Sequence, residues 1–337
     1  MRIGLIADVQ YADIDDVWNF MKTHKRGYRN TLIALRNAVE WWNKSDISLV
    51  VDLGDAIDGI KNTNREMAMQ ALHAVMAEWQ KIKLPVLHLI GNHELYRFSR
   101  TELLQGIPVS ENNAFSCAAP PSIKTHNASR CMYYTFKPDE KRCWRFVVLD
   151  PYDMAVIRNG AGDVHPEHTQ ICQSNNPNNI LHASNFFEGL SGLESRWSPF
   201  NGGVGNEQIE WLENVLVSAH KNGEKLLVLS HVILHPNATP NGDCHTLLWN
   251  YDIVLDLFKK YTPCVQLVIS GHAHQTGYFR CIDTGIHHIA LASPLEAPPG
   301  VSENTFGLLE ISDDDKTAII IGKGAVESLT MNLGSHV

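Results

Sequence analysis

The sequence has no excess of basic residues. Its 28 Lys and Arg stand against 37 Asp and Glu, a formal net charge of −9. Duplex affinity rests on cations that displace counterions, so a general nucleic-acid binder is disfavoured. An anionic substrate would need bound cations to draw it in. No apolar run approaches the ~18–20 residues of a membrane-spanning helix, and Ile3–Ala7 is too short for a secretory signal. The seven cysteines (Cys117, Cys131, Cys143, Cys172, Cys244, Cys264, Cys281) are odd in number and contain no C-x-x-C pair. That argues against a disulfide framework and against a four-cysteine zinc site. A reducing, cytoplasmic setting is the expectation. Internal repeats and an interdomain linker are also missing.

What is present is core material. Of 337 residues, 44% are apolar and 19% charged. Short apolar runs predict strands at Ile3–Ala7, Ser48–Leu53, Pro85–Ile90, Met132–Phe136, Arg145–Leu149, Leu226–Ser230, Val265–Ser270, Ile286–Leu291, Phe306–Ile311 and Thr317–Ile321. Helical patterns fall at Arg29–Trp42, Arg65–Lys81, Glu207–His220 and Tyr251–Tyr261. Early β-α-β alternation followed by β-rich text suggests a mixed sheet, or two packed sheets, with helices outside. The stretch 159–205, rich in Asn, Ser, Gly and Pro, reads as a long loop, either functional, as a substrate-recognition insert, or disordered. Phe186, Phe187, Trp197 and Phe200 show that part of it packs against something.

One pattern recurs. Strands end in metal-binding residue types beside glycine: Asp8-Val9-Gln10, Gly54-Asp55, Gly91-Asn92-His93, His231, and Gly271-His272-Ala273-His274. Ligand sites of α/β proteins form at carboxyl ends of strands. Carboxylate, amide oxygen and imidazole suit Mn, Fe, Zn or Mg. A carboxylate such as Asp55 can bridge two cations, and a pair ~3.5–4 Å apart activates water and neutralises phosphoryl oxygens. Singly these pieces mean little: Gly-Asp is common in turns, and Asn92 and His93 could cap a helix beginning near Glu94. His272 and His274 face the same side if extended geometry persists between them.

The ordered set resembles the calcineurin-like metallophosphoesterase superfamily, whose motifs run Asp-x-His, Gly-Asp, Gly-Asn-His, His, Gly-His-x-His. Gln10 stands where His is usual. With Gln10-Tyr11-Ala12-Asp13, Trp41-Trp42-Asn43, Gly91-Asn92-His93-Glu94-Leu95-Tyr96, Leu149-Asp150-Pro151-Tyr152-Asp153, Phe200-Asn201-Gly202-Gly203, Trp249-Asn250-Tyr251, Gly285-Ile286-His287-His288, Glu296-Ala297-Pro298-Pro299 and Phe306-Gly307, the chain is similar to the Mn2+-dependent ADP-ribose/CDP-alcohol diphosphatases along nearly all its length. The text Gln275-Thr276-Gly277-Tyr278 departs from the Gly-Gly-Tyr expected there.

That resemblance implies a four-layer α/β sandwich of two mixed sheets flanked by helices, and one metallophosphoesterase domain over 1–337. It implies one metal held by Asp8, Gln10 and His274, another by Asn92, His231 and His272, and Asp55 bridging. His93 would act on the phosphoryl group without binding metal, and Glu94 would orient His93 or simply begin a helix. Two divalent ions, Mn2+ first and Mg2+, Fe or Zn2+ as alternatives, would serve cleavage of a pyrophosphate bond. An amide oxygen at position 10 leans the site toward Mn2+ or Mg2+ over zinc. Phe20 would stack on the base. Arg26, Arg29 and Arg97 could contact phosphate, but each reads first as solvated surface. Cys244, near the rim, reads as a buried bystander. His24, His73, His88, His165 and His168 have no ligand context. A monomer acting on small molecules, with no nucleic-acid or membrane partner, is expected. The rivals are a cyclic nucleotide phosphodiesterase or other phosphoesterase on the same site, and a non-catalytic metal-bound scaffold.

Overall fold

The computed structural model describes residues 1–19, 22–111, 113–125, 132–157, 165–183 and 185–334. Its body is two six-stranded mixed sheets. The first holds β1 (Arg2–Ile6), β2 (Leu49–Asp52), β3 (Val86–His88) and, from late in the chain, β10 (Phe306–Ile311), β11 (Thr317–Lys323) and β12 (Leu329–Asn332), in the order β12-β11-β10-β1-β2-β3. The second holds β4 (Tyr134–Phe136), β5 (Trp144–Val148), β6 (Lys225–Ser230), β7 (Val265–Ser270), β8 (Gly277–Arg280) and β9 (His287–Ala290), in the order β8-β9-β7-β6-β5-β4. Strands β1–β2–β3 run parallel, as do β5–β6–β7–β9. The helices are α1 (Tyr28–Trp42), α2 (Arg65–Trp79), α3 (Asn92–Leu95), α4 (Arg100–Gln105), α5 (Pro166–Asn175), α6 (Asn206–Asn222) and α7 (Tyr251–Lys260).

Period-two alternation decides the layering. Ile3, Leu5, Leu49 and Val51 share a buried cluster with Phe146, Leu227, Leu229, Leu267 and Ile269, which is the core between the sheets. Their alternates Ile6, Val50, Val228 and Val268 join the cluster containing Leu35, Trp42, Leu72, Leu212 and Phe258 from the helices. Gly4 admits α1 closely: a Cβ there would lie 2.8 Å from the Trp42 indole. Burying side chains of this size contributes roughly 1.5–3 kcal/mol each. The result is the two-sheet sandwich with outer helices that the resemblance implied.

Predicted strands and helices appear with ends shifted by a few residues. Within the two sheets, β8 and β12 carried too little apolar text to be seen, and the strand pair Ile107–Ser110 and Asn113–Phe115 and the two-residue strands outside them were not predicted either. The stretch 159–205 is not plain loop: it contains α5 and a 3-10 turn at Gly192–Arg196. No helix among the described residues is long and apolar enough to cross a membrane.

Candidate metal centre

The parallel strands of both sheets deliver their carboxyl ends to one place. The chain after β1 stays paired with the chain after β2: Asp8 N–H donates to Gly54 O (3.1 Å) and Gln10 N–H to Asp55 O (2.7 Å). Gly271 N–H reaches His231 O (3.0 Å) after β6 and β7, and His272 N–H donates to Asp8 Oδ2 (2.9 Å), joining the two sheets' ends. Asp8, Gln10, Asp55, Asn92, His93, His231, His272 and His274 are all buried here.

The backbone is bent to do this. Asp8, Gln10, Asp55, His272 and His274 all have φ between 40° and 69°. That left-handed region is uncommon for residues with a Cβ and marks functional strain. Extended geometry therefore does not persist between His272 and His274, contrary to the strand-spacing expectation. β7 ends at Ser270, and left-handed turns aim the two rings instead. Glycine makes the crowding tolerable: a Cβ on Gly91 would sit 2.1 Å from Asp55 Oδ1, and one on Gly54 2.7 Å from His231 Nδ1.

Outer partners fix each imidazole. His231 Nδ1 lies 2.6 Å from Leu53 O, which can only accept, so Nδ1 carries a proton and Nε2 faces inward. Asn201 Nδ2 donates to Arg196 O and His245 O, leaving Oδ1 to accept from His272 Nε2 at 2.8 Å; His272 presents Nδ1. Glu296 Oε1 accepts from His274 Nδ1 at 3.0 Å, so Nε2 faces Asp8 Oδ1 at 3.5 Å. Such outward hydrogen bonds are how proteins orient metal-binding histidines.

The inward atoms suit cations. Asp8 Oδ1, Gln10 Oε1 and His231 Nε2 are buried with no hydrogen-bond partner, and leaving such groups unsatisfied costs about 1–3 kcal/mol apiece. His231 Nε2 lies 3.4 Å from Asp55 Oδ2 and 3.9 Å from Asp8 Oδ1. Single donor atoms of Asp55, His231 and His272 fall within 4.8 Å of one another. Gln10 Nε2 donates to Asp55 Oδ2 (3.0 Å) and to His274 Nε2 (2.9 Å). A half-turn of that amide would bring its oxygen between them. Asn92 Oδ1 accepts from the Tyr152 hydroxyl (3.1 Å) and keeps a second lone pair. Burial opposes protonation of His231 and His274, but Asp55 beside the first and Glu296 beside the second outweigh it, raising them to about 10 and about 9. The same negative field would attract divalent cations, whose binding displaces those protons.

His93 is held differently. Its Nδ1 accepts from Gly59 N–H (3.0 Å), leaving the proton of the neutral ring on Nε2. Asp58 Oδ1, 3.5 Å from Nδ1, can pair with the protonated ring. Burial lowers its proton affinity, yet Asp58 and Asp55 outweigh that and hold it above the ordinary imidazole range. Both charge states thus have a partner. Glu94 does not touch His93 in any hydrogen bond. It accepts from the Gly91, Asp55 and Ala56 N–H groups (2.9, 3.0 and 2.7 Å), capping α3 and bracing the turn that carries Asp55.

Several sequence candidates stand aside. Phe20 lies outside the described residues. Arg29 pairs with Asp13 and Asp15 at the surface, and Arg97 donates to Gly59 O. Arg26 is instead bound to Glu296 at 2.8 Å. His88 is buried against Asp52 (2.9 Å). Cys244 is buried as expected. From the long stretch, an aromatic ladder climbs away from the metal centre: His272 to Phe200 (5.7 Å), Phe200 to Phe187 (5.9 Å), and Phe187 stacked on His245 (4.1 Å). Trp197 packs on Trp249 away from it. The roles of Asn201, Asp58, Gly59 and Glu296 were missed. Asn201 and Glu296 lie in text that matched the family, but a lone polar residue gives no sign of which histidine it meets.

A model of the calcineurin-like phosphoesterase family matches residues 1–276. The manganese-dependent ADP-ribose/CDP-alcohol diphosphatase of Danio rerio is 37% identical over 330 residues, covering 97% of each chain. Its namesake from Arabidopsis thaliana is 35% identical over 316 residues, covering 92% of this chain and 91% of that one. A crystal structure of a dimetal phosphatase from Danio rerio superposes with a TM-score of 0.84 at 34% identity, covering 98% of both chains. By family match, near-full-length relatives and fold, the chain belongs to the calcineurin-like phosphoesterases, a family of hydrolases, and within them to the manganese-dependent ADP-ribose/CDP-alcohol diphosphatases.

Proposed function

We propose that this protein hydrolyses the pyrophosphate bond of ADP-ribose, CDP-choline and related nucleoside diphosphate derivatives, releasing a nucleoside monophosphate and a phosphorylated sugar or alcohol, with two Mn2+ ions as cofactor. The observation that carries the reading is the set of inward donors: ring nitrogens of His231, His272 and His274 around Asp55, with Asp8 Oδ1 buried and unpartnered and the Gln10 amide one half-turn from offering its oxygen. Asp8, Gln10 and His274 would hold one ion, Asn92, His231 and His272 the other, and Asp55 both. When bound, the ions supply water activation and charge neutralisation of the phosphoryl oxygens.

The chain's own groups do the rest. Asp55 Oδ1 is anchored by the His93 N–H (2.8 Å) while Oδ2 faces Gln10 on one side and His231 on the other, which suits a bridging carboxylate. In the protonated ring Nδ1–H pairs with Asp58 while Nε2–H is free to donate to the leaving oxygen, after which the neutral ring keeps its proton on Nδ1 beside Asp58. The ladder from His272 to His245 offers aromatic surface to the nucleoside, a second candidate in addition to Phe20, which the sequence alone suggests. The whole chain would act as one domain, with 159–205 as its substrate-recognition insert. A cytoplasmic setting accords with free thiols at Cys117, Cys143, Cys172, Cys244, Cys264 and Cys281.

The test is an assay of chelator-stripped protein restored with Mn2+, Mg2+ or Zn2+ against ADP-ribose, CDP-choline, cyclic AMP and a phosphomonoester. Mn2+-dependent release of AMP and CMP from the first two supports the proposal. Turnover of cyclic AMP or the monoester alone rejects the substrate class, and no turnover with any metal rejects the enzyme reading.

A further inference from the structure

We propose that Glu296 is a positioning residue that ties the metal-facing His274 to the segment 17–26, so that metal uptake and the setting of that segment are coupled. The inference rests on the dinuclear-metal reading above.

Glu296 follows β9 and its side chain is only 7% exposed. Three donors converge on it. Oε1 accepts from His274 Nδ1 (3.0 Å) and from Arg26 Nε (2.8 Å), and Oε2 accepts from Asn19 Nδ2 (3.2 Å). His24 Nδ1 lies 3.8 Å from Oε2. Arg26 belongs to the short strand Lys25–Arg26, which pairs with Val17–Trp18. Asn19 holds the turn between them, its Oδ1 accepting from Thr23 N–H (2.9 Å). The next residue is bound too: Gly27 N–H donates to Leu295 O (2.8 Å). One buried carboxylate therefore holds both arms of this hairpin and the outer nitrogen of a metal-facing histidine. Phe20 is the sequence neighbour of Asn19.

The chemistry requires an acceptor with no donor of its own. A carboxylate has four lone-pair sites and no proton, whereas a glutamine amide must turn an N–H pair toward one of these donors. A cation at His274 Nε2 would lock the ring with Nδ1–H on Glu296, and so fix the carboxylate that also accepts from Arg26 and Asn19. Linkage makes the effect reciprocal: whatever steadies the hairpin tightens the metal.

Two measurements on the full-length protein test this: Mn2+ affinity by calorimetry, and hydrogen exchange of this segment, read at amides 17–19 and 22–26, with and without saturating Mn2+. In the wild type, Mn2+ should slow exchange in 17–26. Glu296→Gln should weaken Mn2+ by ~10–100-fold and abolish that slowing even when saturated. Arg26→Met cuts the hairpin's arm and spares that of His274. It should lose the slowing and, by the same linkage, weaken Mn2+ by less than Glu296→Gln does, with KM rising for CDP-choline and not for a small aryl phosphate. Unchanged Mn2+ affinity in Glu296→Gln, or full protection of 17–26 in either Mn2+-saturated variant, overturns the coupling while the metal reading stands. A wild type that takes up no Mn2+ overturns both.

Discussion

The floor and the rim of the site are held together in opposite ways. Floor bonds span the chain: His272 N–H to Asp8 crosses 264 positions, His231 to Leu53 crosses 178, and Gln10 to Asp55 crosses 45. Rim bonds around Asn176 and Asn178 are local, while Arg196 and Asn201 tie the rim's end to Trp249 O and His245 O, 53 and 44 positions away. Asn176 donates to Phe186 O and Trp197 O, 10 and 21 positions away, and Asn178 to Phe186 O and Glu188 O, 8 and 10 away. The floor exists only once both sheets have packed, so it opens with the whole molecule. The rim is a knot of side-chain amides satisfying nearby carbonyls, and such units open at lower free energy. A rigid floor keeps the donors aimed, and the rim touches it through Asn201 and Phe200 at His272.

The sharpest way to break this contrast is at its centre. Asp55→Asn should abolish Mn2+ uptake and drop turnover to background, read by metal analysis and steady-state kinetics. His93→Gln should lower kcat by ~10²–10⁴-fold with Mn2+ stoichiometry unchanged; lost metal would instead make His93 part of the binding set. A matched pair then compares floor and rim directly. Gly91→Ala forces a Cβ to within 2.1 Å of Asp55 Oδ1. It should cost at least ~1–3 kcal/mol in denaturant unfolding and impair metal uptake. Gly189→Ala, at φ 76° with open space around it, should cost about 1–2 kcal/mol at most and leave metal uptake intact. The smallest effect is expected from Phe187→Ala. Losing its stack on His245 should raise KM for CDP-choline by roughly 2–12-fold, equivalent to about 0.5–1.5 kcal/mol. A simple aryl phosphate should be turned over as before. An equal loss for both substrates would place Phe187 in the support of His272 rather than in nucleoside recognition.

Legibility followed the same divide. The strand ends could be read because a short apolar run followed by glycine and a ligand residue is written in consecutive positions, and five such blocks in order exclude chance. The sheets were legible through their apolar runs. β8 and β12 were not, since edge strands need few buried residues. The left-handed turn at His272–His274 was hidden by a spacing that reads equally well as extended strand. Glu94 showed both of its offered roles in sequence, and only its three backbone bonds chose between them.

By itself the sequence determined the donor types, their order and the family, because these depend on residue chemistry and near-neighbour spacing. The tertiary structure decided which nitrogen each histidine turns inward, and that Glu296, Asn201 and the Leu53 carbonyl are what turn them. Those partners are 22, 71 and 178 positions from the rings they fix, a separation that no local pattern encodes and that only the packing of the two sheets brings to hydrogen-bond distance.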